Sequence, residues 1–182
     1  AIVADLRQAG LNPPDISGAC SIDDILRICH ATYLTDGLQS LRQLPAGCVD
    51  LIWSHAVLEH LRRHEFSAIM SELQRVSAPQ GVSSHNIDFQ DHLENSLHNL
   101  RLPARIWESP LFQKSGFYTN RIRGPQMVQM MKDAGFTICA EDAGRWPSLP
   151  VPRAKLDPEF RDLSDDALLI RTMHIVMTPT PS

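Results

Sequence analysis

Apolar residues recur at helical spacing between residues 64 and 76, where Phe66, Ile69, Met70, Leu73 and Val76 share one face. That pattern predicts an amphipathic helix lying across a sheet. Just upstream, Val49–Trp53 is an almost wholly apolar run, interrupted only by Asp50 and bounded by Pro45 and Gly47. It predicts a short strand buried on both faces that ends in Ser54-His55. Residues 31–35 and 82–87 predict two further strands, the second unusually polar. Pro125 opens a helix whose buried side is Met127, Val128, Met130 and Met131, closed by Gly135. Strands then follow at 136–140 and 168–177. Near the N-terminus, Ile2, Val3 and Leu6 predict a helix stopped by Gly10, and Ser21 with Asp24 forms a capping box for a helix from Ile22 to about His30. A short helix with Leu38, Leu41 and Leu44 follows Asp36. Residues 88–124 and 143–166 lack periodicity. The first, rich in Asp, His, Asn, Arg and Trp, predicts a lid or substrate region with short helices.

The alternation of strand and helix from residue 21 to 87 implies parallel strands joined by right-handed crossovers, and 182 residues with 43% hydrophobic content suit one α/β domain. A net charge of −4 argues against a duplex nucleic-acid binder, which needs a basic face. No apolar run approaches the ~20 residues that span a membrane. Cys20, Cys29, Cys48 and Cys139 form no C-x-x-C pair, so reduced, packed thiols in a cytosolic protein are expected.

Residues 49–61, Val-Asp-Leu-Ile-Trp-Ser-His-Ala-Val-Leu-Glu-His-Leu, resemble the fourth strand and following turn of the class I S-adenosylmethionine-dependent methyltransferases. Leu73–Gly81 resembles the family's "L-x-R-V-L-x-P-G-G", with Gln80 in place of the first glycine, and Ala134-Gly135-Phe136 resembles its "A-G-F". The resemblance implies a Rossmann-like, mostly parallel sheet with an antiparallel last strand. It also implies S-adenosylmethionine as cofactor and a small-molecule or glycan-type acceptor. The family's glycine-rich loop has no counterpart, because no two of the nine glycines are separated by a single residue. Nor is there an acid for the ribose hydroxyls upstream of residue 31. The expectation is therefore an N-terminally truncated domain or a degenerate one, binding the cofactor weakly or not at all. With the family's strand order, residues 31–35 should pair with 49–55, giving the order 31–35, 49–55, 82–87, 169–177, 136–140 with only 169–177 antiparallel. A non-catalytic interaction domain of the same fold is the rival reading.

The resemblance places Asp36, Gly37 and Leu38 beside the adenine, and Ser54, His55 and Ala56 beside the methionine part of the cofactor. Asp36 is equally suited to capping the helix after it. The densest polar cluster is His85, Asp88, Asp91 and His92. It reads as a general base with an orienting carboxylate, as a divalent-metal site, which a hydrolase centred on His85 and His92 would use, or as a hydrogen-bonded loop. Glu59 is expected to pair with Arg63 on the surface and His60 to hold the turn. Trp107, Phe112, Phe117 and Tyr118 wall a substrate pocket or fill a core. Arg101, Arg105, Arg121 and Arg123 meet an anionic substrate group or solvent.

Overall fold

The computed structural model describes residues 2–181. They divide into two units, residues 2–40 and 41–181. In the first, α1 (Ile2–Gln8) and α2 (Ile22–Ile28) form as their apolar spacing dictates. The expected cap is present: Ser21 Oγ accepts from the Asp24 amide at 3.1 Å, and Asp24 accepts from the Cys20 amide at 3.1 Å. Residues 31–35, expected as a strand, have no regular structure and pair with nothing in the sheet. The five residues offer one marginal run without a cross-strand partner, and a strand owes its stability to such partners. α3 (Leu38–Gln43) starts in this unit.

The second unit is built on one four-stranded sheet. Its strands are β1 (Val49–His55), β2 (Ser77–Asp88), β3 (Phe136–Arg145) and β4 (Ile170–Pro179). They stand in the order β1-β2-β4-β3; β1 and β2 are parallel, and β4 runs antiparallel to both its neighbours. Apart from residues 31–35, this is the order and direction expected. α4 (Phe66–Val76) makes the crossover from β1 to β2. Two short helices follow β2, α5 (Ala104–Trp107) and α6 (Pro110–Gln113), and then the longer α7 (Gly124–Asp133), which leads into β3. α8 (Pro158–Arg161) and α9 (Asp165–Leu169) lie between β3 and β4. The apolar stripes of α4 and α7 bury Phe66, Met70, Met127 and Met131 against Ile87, Met173, Ile175 and Met177 of the sheet.

α4 and α7 cover that face of the sheet. On β1 the burial alternates: Leu51 and Trp53 are each 65% exposed. The expectation of a strand buried on both faces is thus corrected. β1 is the edge strand, and the periodic helices lie on the side of Ile52 and Ser54. The expectation of packed thiols is corrected too, since all four cysteines are free and exposed.

The two segments without periodicity close on each other. Leu97 and Leu100 from the first meet Val151, Leu156 and Phe160 from the second, together with Leu168, in a second apolar core. Of the aromatics between them, Trp107 and Tyr118 are buried and Phe117 is exposed. Arg121 and Arg123, expected at a ligand or in solvent, are buried. The Arg123 guanidinium donates to the carbonyls of Phe89 (2.9 Å), Ala167 (3.4 Å), Leu168 (3.3 Å) and Ile170 (2.5 Å). Burial pulls its pKa down to about 9, which the nearby Asp88 carboxylate opposes.

β2 begins at Ser77, five residues before its expected start, and the phrase Pro79-Gln80-Gly81 lies inside it as an irregularity opposite Val49 and Leu51. A Cβ on Gly81 would lie 2.9 Å from the carbonyl oxygens of both Ala78 and Val49. These are backbone atoms that cannot swing away. Gly81→Ala should therefore destabilise the protein by roughly 1–3 kcal/mol, as overpacking does, read as a lowered urea midpoint. An unchanged midpoint would show that the two strands separate there at no cost.

Candidate active site

The sheet register brings distant residues into rows. On the face not covered by α4 and α7, His55, Asn86, His174 and Asp142 stand opposite one another across all four strands. The next row holds Asp88, Thr172 and Gly144. Towards the other end of the strands come Trp53, Ser84, Val176 and Ala140. Polar side chains are thus gathered at the carboxyl ends of β1 and β2, where open α/β sheets bind their ligands. A cavity of about 350 Å³ lies there, lined by both histidines, Asn86, Asp88, Asp142 and Ala56 among others. That volume suits a small molecule.

Local geometry fixes several of these groups. Ala56 takes a positive φ of 52° and its amide donates to the Asn86 carbonyl at 2.9 Å, which ends the β1–β2 ladder at the cavity mouth. The Asp88 carboxylate accepts from the Gln90 amide at 2.9 Å. His174 Nε2 lies 3.1 Å from Ser84 Oγ, a partner on the same face. Trp53 stacks on His55 at 6.3 Å. A hollow of about 620 Å³ at the opposite end of β2 is larger, but its one charged group, Arg75, is already bound to Glu72 and to the Leu41 and Leu44 carbonyls.

The expected site residues therefore part company. His55, Ala56 and Asp88 meet at the cavity. Ser54 and His85 face the other way, towards the α4–α7 core. Ser54 Oγ and His85 Nδ1 are 2.7 Å apart, and His85 is 1% exposed with Nε2 unpartnered. Burial lowers the His85 pKa to about 4, so it stays neutral at physiological pH. Asp91 staples the loop after β2: its carboxylate accepts from the amides of Leu93 (3.0 Å), Glu94 (2.8 Å) and His98. Burial alone would raise the Asp91 pKa, but these donors outweigh it and hold the carboxyl below its ordinary value. His92 stacks on His60, with ring centres 5.0 Å apart, and His60 Nδ1 bonds the Tyr118 carbonyl at 2.9 Å. Among the described residues no three His, Cys, Asp or Glu groups stand where they could share a metal ion.

Asp36, Gly37 and Leu38 belong to the first unit, where the Asp36 amide donates to Ser40 Oγ at 3.0 Å. Glu59 is not the surface partner of Arg63. It is 2% exposed, and Oε1 accepts from the Asp88 amide at 3.4 Å while Oε2 has no partner. Burial raises its pKa. Arg63 instead pairs with Glu159 at 2.5 Å. Sequence reasoning missed Asn86, Asp142, Thr172 and His174. The available signal was the polar half of the alternation in the last strand, Thr172 and His174 against Met173, Ile175 and Met177.

Residues 21–84 match the methyltransferase domain family. Solved structures share the fold. A SAM-dependent methyltransferase from Methanosarcina mazei is 15% identical, with 84% of this chain and 68% of that one covered, at a TM-score of 0.54. A protein from Pyrococcus horikoshii is 12% identical, with coverage of 98% and 76% and a TM-score of 0.50. A cyclase is also 12% identical, with coverage of 88% and 61% and a TM-score of 0.52. The chain spans roughly two thirds of the length of these proteins. No curated protein matches the sequence. The resemblance to the class I S-adenosylmethionine-dependent methyltransferases is borne out in the fold. The four strands stand in the order the family gives its fourth, fifth, seventh and sixth, and the matched segment runs through β1 and into β2.

His85 makes a test of this geometry. Its native pKa is depressed from the ordinary 6.5 to about 4. Above pH 6.5 native and unfolded chains both hold it neutral. As pH falls from 6.5 to 4 only the unfolded chain takes up the proton, so stability is lost in that window. Urea unfolding at pH 7.5 and pH 5 should show a loss of roughly 1–2 kcal/mol, and His85→Gln should remove that dependence. An equal loss in the variant would place His85 in solvent.

Proposed function

We propose that this chain takes part in S-adenosylmethionine-dependent methyl transfer, with the cavity at the carboxyl ends of β1 and β2 as the site. The observation that carries the reading is the row His55–Asn86–His174–Asp142 with Asp88 beside it, at the sheet position where the methyltransferase-like sequence of residues 49–61 ends. A cyclase on the same fold shows that the fold alone does not set the reaction.

The cavity residues fit the methionine end of the cofactor. A carboxylate in a partly enclosed space favours positive charge, and Asp88 lines it beside His55 and Ala56. The bound cofactor would supply a methyl group on a positively charged sulfur. The adenosine end has less support, because the chain lacks the paired glycines and the ribose acid that the resemblance calls for.

The remaining chemistry belongs to the protein. Held beside His55, Ala56 and Asp88, that methyl group would be open to the lone pair of an oxygen or nitrogen acceptor, and the electron pair of the broken bond would stay on sulfur. Positioning the two reactants in line accounts for much of the acceleration. His55 and Asp88 at the ends of β1 and β2, and His174 within β4, are suited to this because paired backbone holds them. The acceptor must also release a proton. An imidazole is the side chain suited to take it near neutral pH, and His55 and His174 both open to the cavity. His85, enclosed beneath the sheet, positions β1 against β2 through Ser54. The loop built on Asp91 and the His60–His92 stack hold the wall next to Asp88.

A titration with S-adenosylhomocysteine, followed by two-dimensional NMR of the labelled protein, tests the reading. Saturable shifts at His55, Ala56 and Asp88 are expected at ligand concentrations around a millimolar dissociation constant, about −4 kcal/mol of binding. Asp88→Asn should weaken that binding roughly tenfold. Shifts confined to other parts of the protein, or none at saturating ligand, would remove the proposal.

A further inference from the structure

The cavity has two ends. Its β1 side carries His55 and Ala56. The side formed by β4 and β3 carries His174 and Asp142, directly opposite each other in the antiparallel pair, with Asp88 one row on. Directly opposed residues hold their Cβ atoms about 5 Å apart, so these side chains address one small-molecule-sized space. Its width is preserved by Gly144, where a Cβ would run into the Thr172 hydroxyl. His174 is oriented by Ser84 through Nε2, which leaves Nδ1 for a ligand.

The charge in this space is one-sided. No lysine or arginine lines it. The Arg123 guanidinium, whose charged form the Asp88 carboxylate favours, is buried and committed to four backbone carbonyls. Asp142 has no ion-pair partner among the described residues, and Asp88 accepts only the Gln90 amide. A carboxylate or phosphate entering here would meet two like charges with no cation to offset them. A protonated amine would meet two opposite charges and an imidazole.

We infer that the β3–β4 half of the cavity is the acceptor subsite and that it takes a small amine, bound as its ammonium form by Asp142 with His174 as the hydrogen-bonding neighbour. The word acceptor rests on the proposed methyl transfer; the selectivity for an amine does not.

Three probes of nearly equal shape, benzylamine, benzyl alcohol and benzoate, separate the possibilities on the wild-type chain at pH 7. Benzylamine should give saturable NMR shifts at His174, Asp142 and Thr172, with benzoate at least tenfold weaker and benzyl alcohol between them. Asp142→Asn should weaken benzylamine about tenfold, with thermal melting of the variant confirming that it folds. Equal binding of the three probes, a preference for benzoate, or shifts away from this cavity end would overturn the inference. The titration is then repeated in saturating S-adenosylhomocysteine. An unchanged or tighter benzylamine affinity supports an acceptor subsite. Displacement of benzylamine would show that Asp142 serves the ammonium group of the cofactor, and would overturn it. A chain selective for benzylamine that gives no response to S-adenosylhomocysteine retains the amine site and loses the methyl-transfer reading, so the two fail separately.

Discussion

The second unit depends on the insertion of β4 between β2 and β3. β4 is hydrogen-bonded on both sides, antiparallel to each neighbour, and its buried residues Met173, Ile175 and Met177 lock into the same core as α4 and α7. Side chains alternate strictly along a strand, so this burial fixes the other face as well. Thr172, His174 and Val176 must point away from the core. A slip of one residue would expose three large apolar side chains and bury a histidine and a threonine in their place. The cavity is the consequence of that register. The row from His55 to Asp142 joins residues from all four strands that share no sequence motif.

Buried charge does comparable work in the irregular regions. Arg123 gives up its hydration to satisfy carbonyls at the end of β2 and at the junction of α9 with β4. Those carbonyls sit at helix and strand ends, where backbone partners run out. Arg121 does the same for Leu102 at 2.7 Å, lying over the rings of Trp107 and Phe160. The guanidinium is fitted to this because it presents five donors in a rigid fork and keeps its charge when buried. Both arginines thus join segments that lack regular structure, and Asp91 performs the matching task with the donors of its own loop.

Two kinds of histidine emerge from the same sheet. His85 and His174 face opposite sides of neighbouring strands: one is buried against Ser54 and held neutral by desolvation, and the other opens to the cavity beside Ser84. Each has a serine hydroxyl for a neighbour, so residue type and local pairing do not tell them apart. The face of the sheet does, because it decides which imidazole opens to the cavity.

The sequence by itself determined the helices and strands that carry strong periodicity. α4 and α7 are legible from their apolar stripes, β2 and β4 from their bounded runs, and the strand order from phrases such as Ala134-Gly135-Phe136 at the entry to β3. It also marked His55, Ala56 and Asp88, because they end strands in a recognisable setting. Tertiary structure decided the rest. Residues 31–35 have the composition of a strand, but a strand needs a partner. Trp53 and Leu51 read as core, but the face they occupy is not the one α4 and α7 cover. His85 sat in the densest polar cluster along the chain, yet sequence neighbours on a strand alternate between faces, so proximity in sequence separated it from Asp88. Asp142 carried no signal of its own, and the alternation that turns His174 from the core does not name its neighbour, since only the pairing of β3 with β4 sets the two opposite each other. Periodicity is a local property that the chain displays directly, whereas the partner across a sheet is chosen by burial summed over elements far apart in sequence.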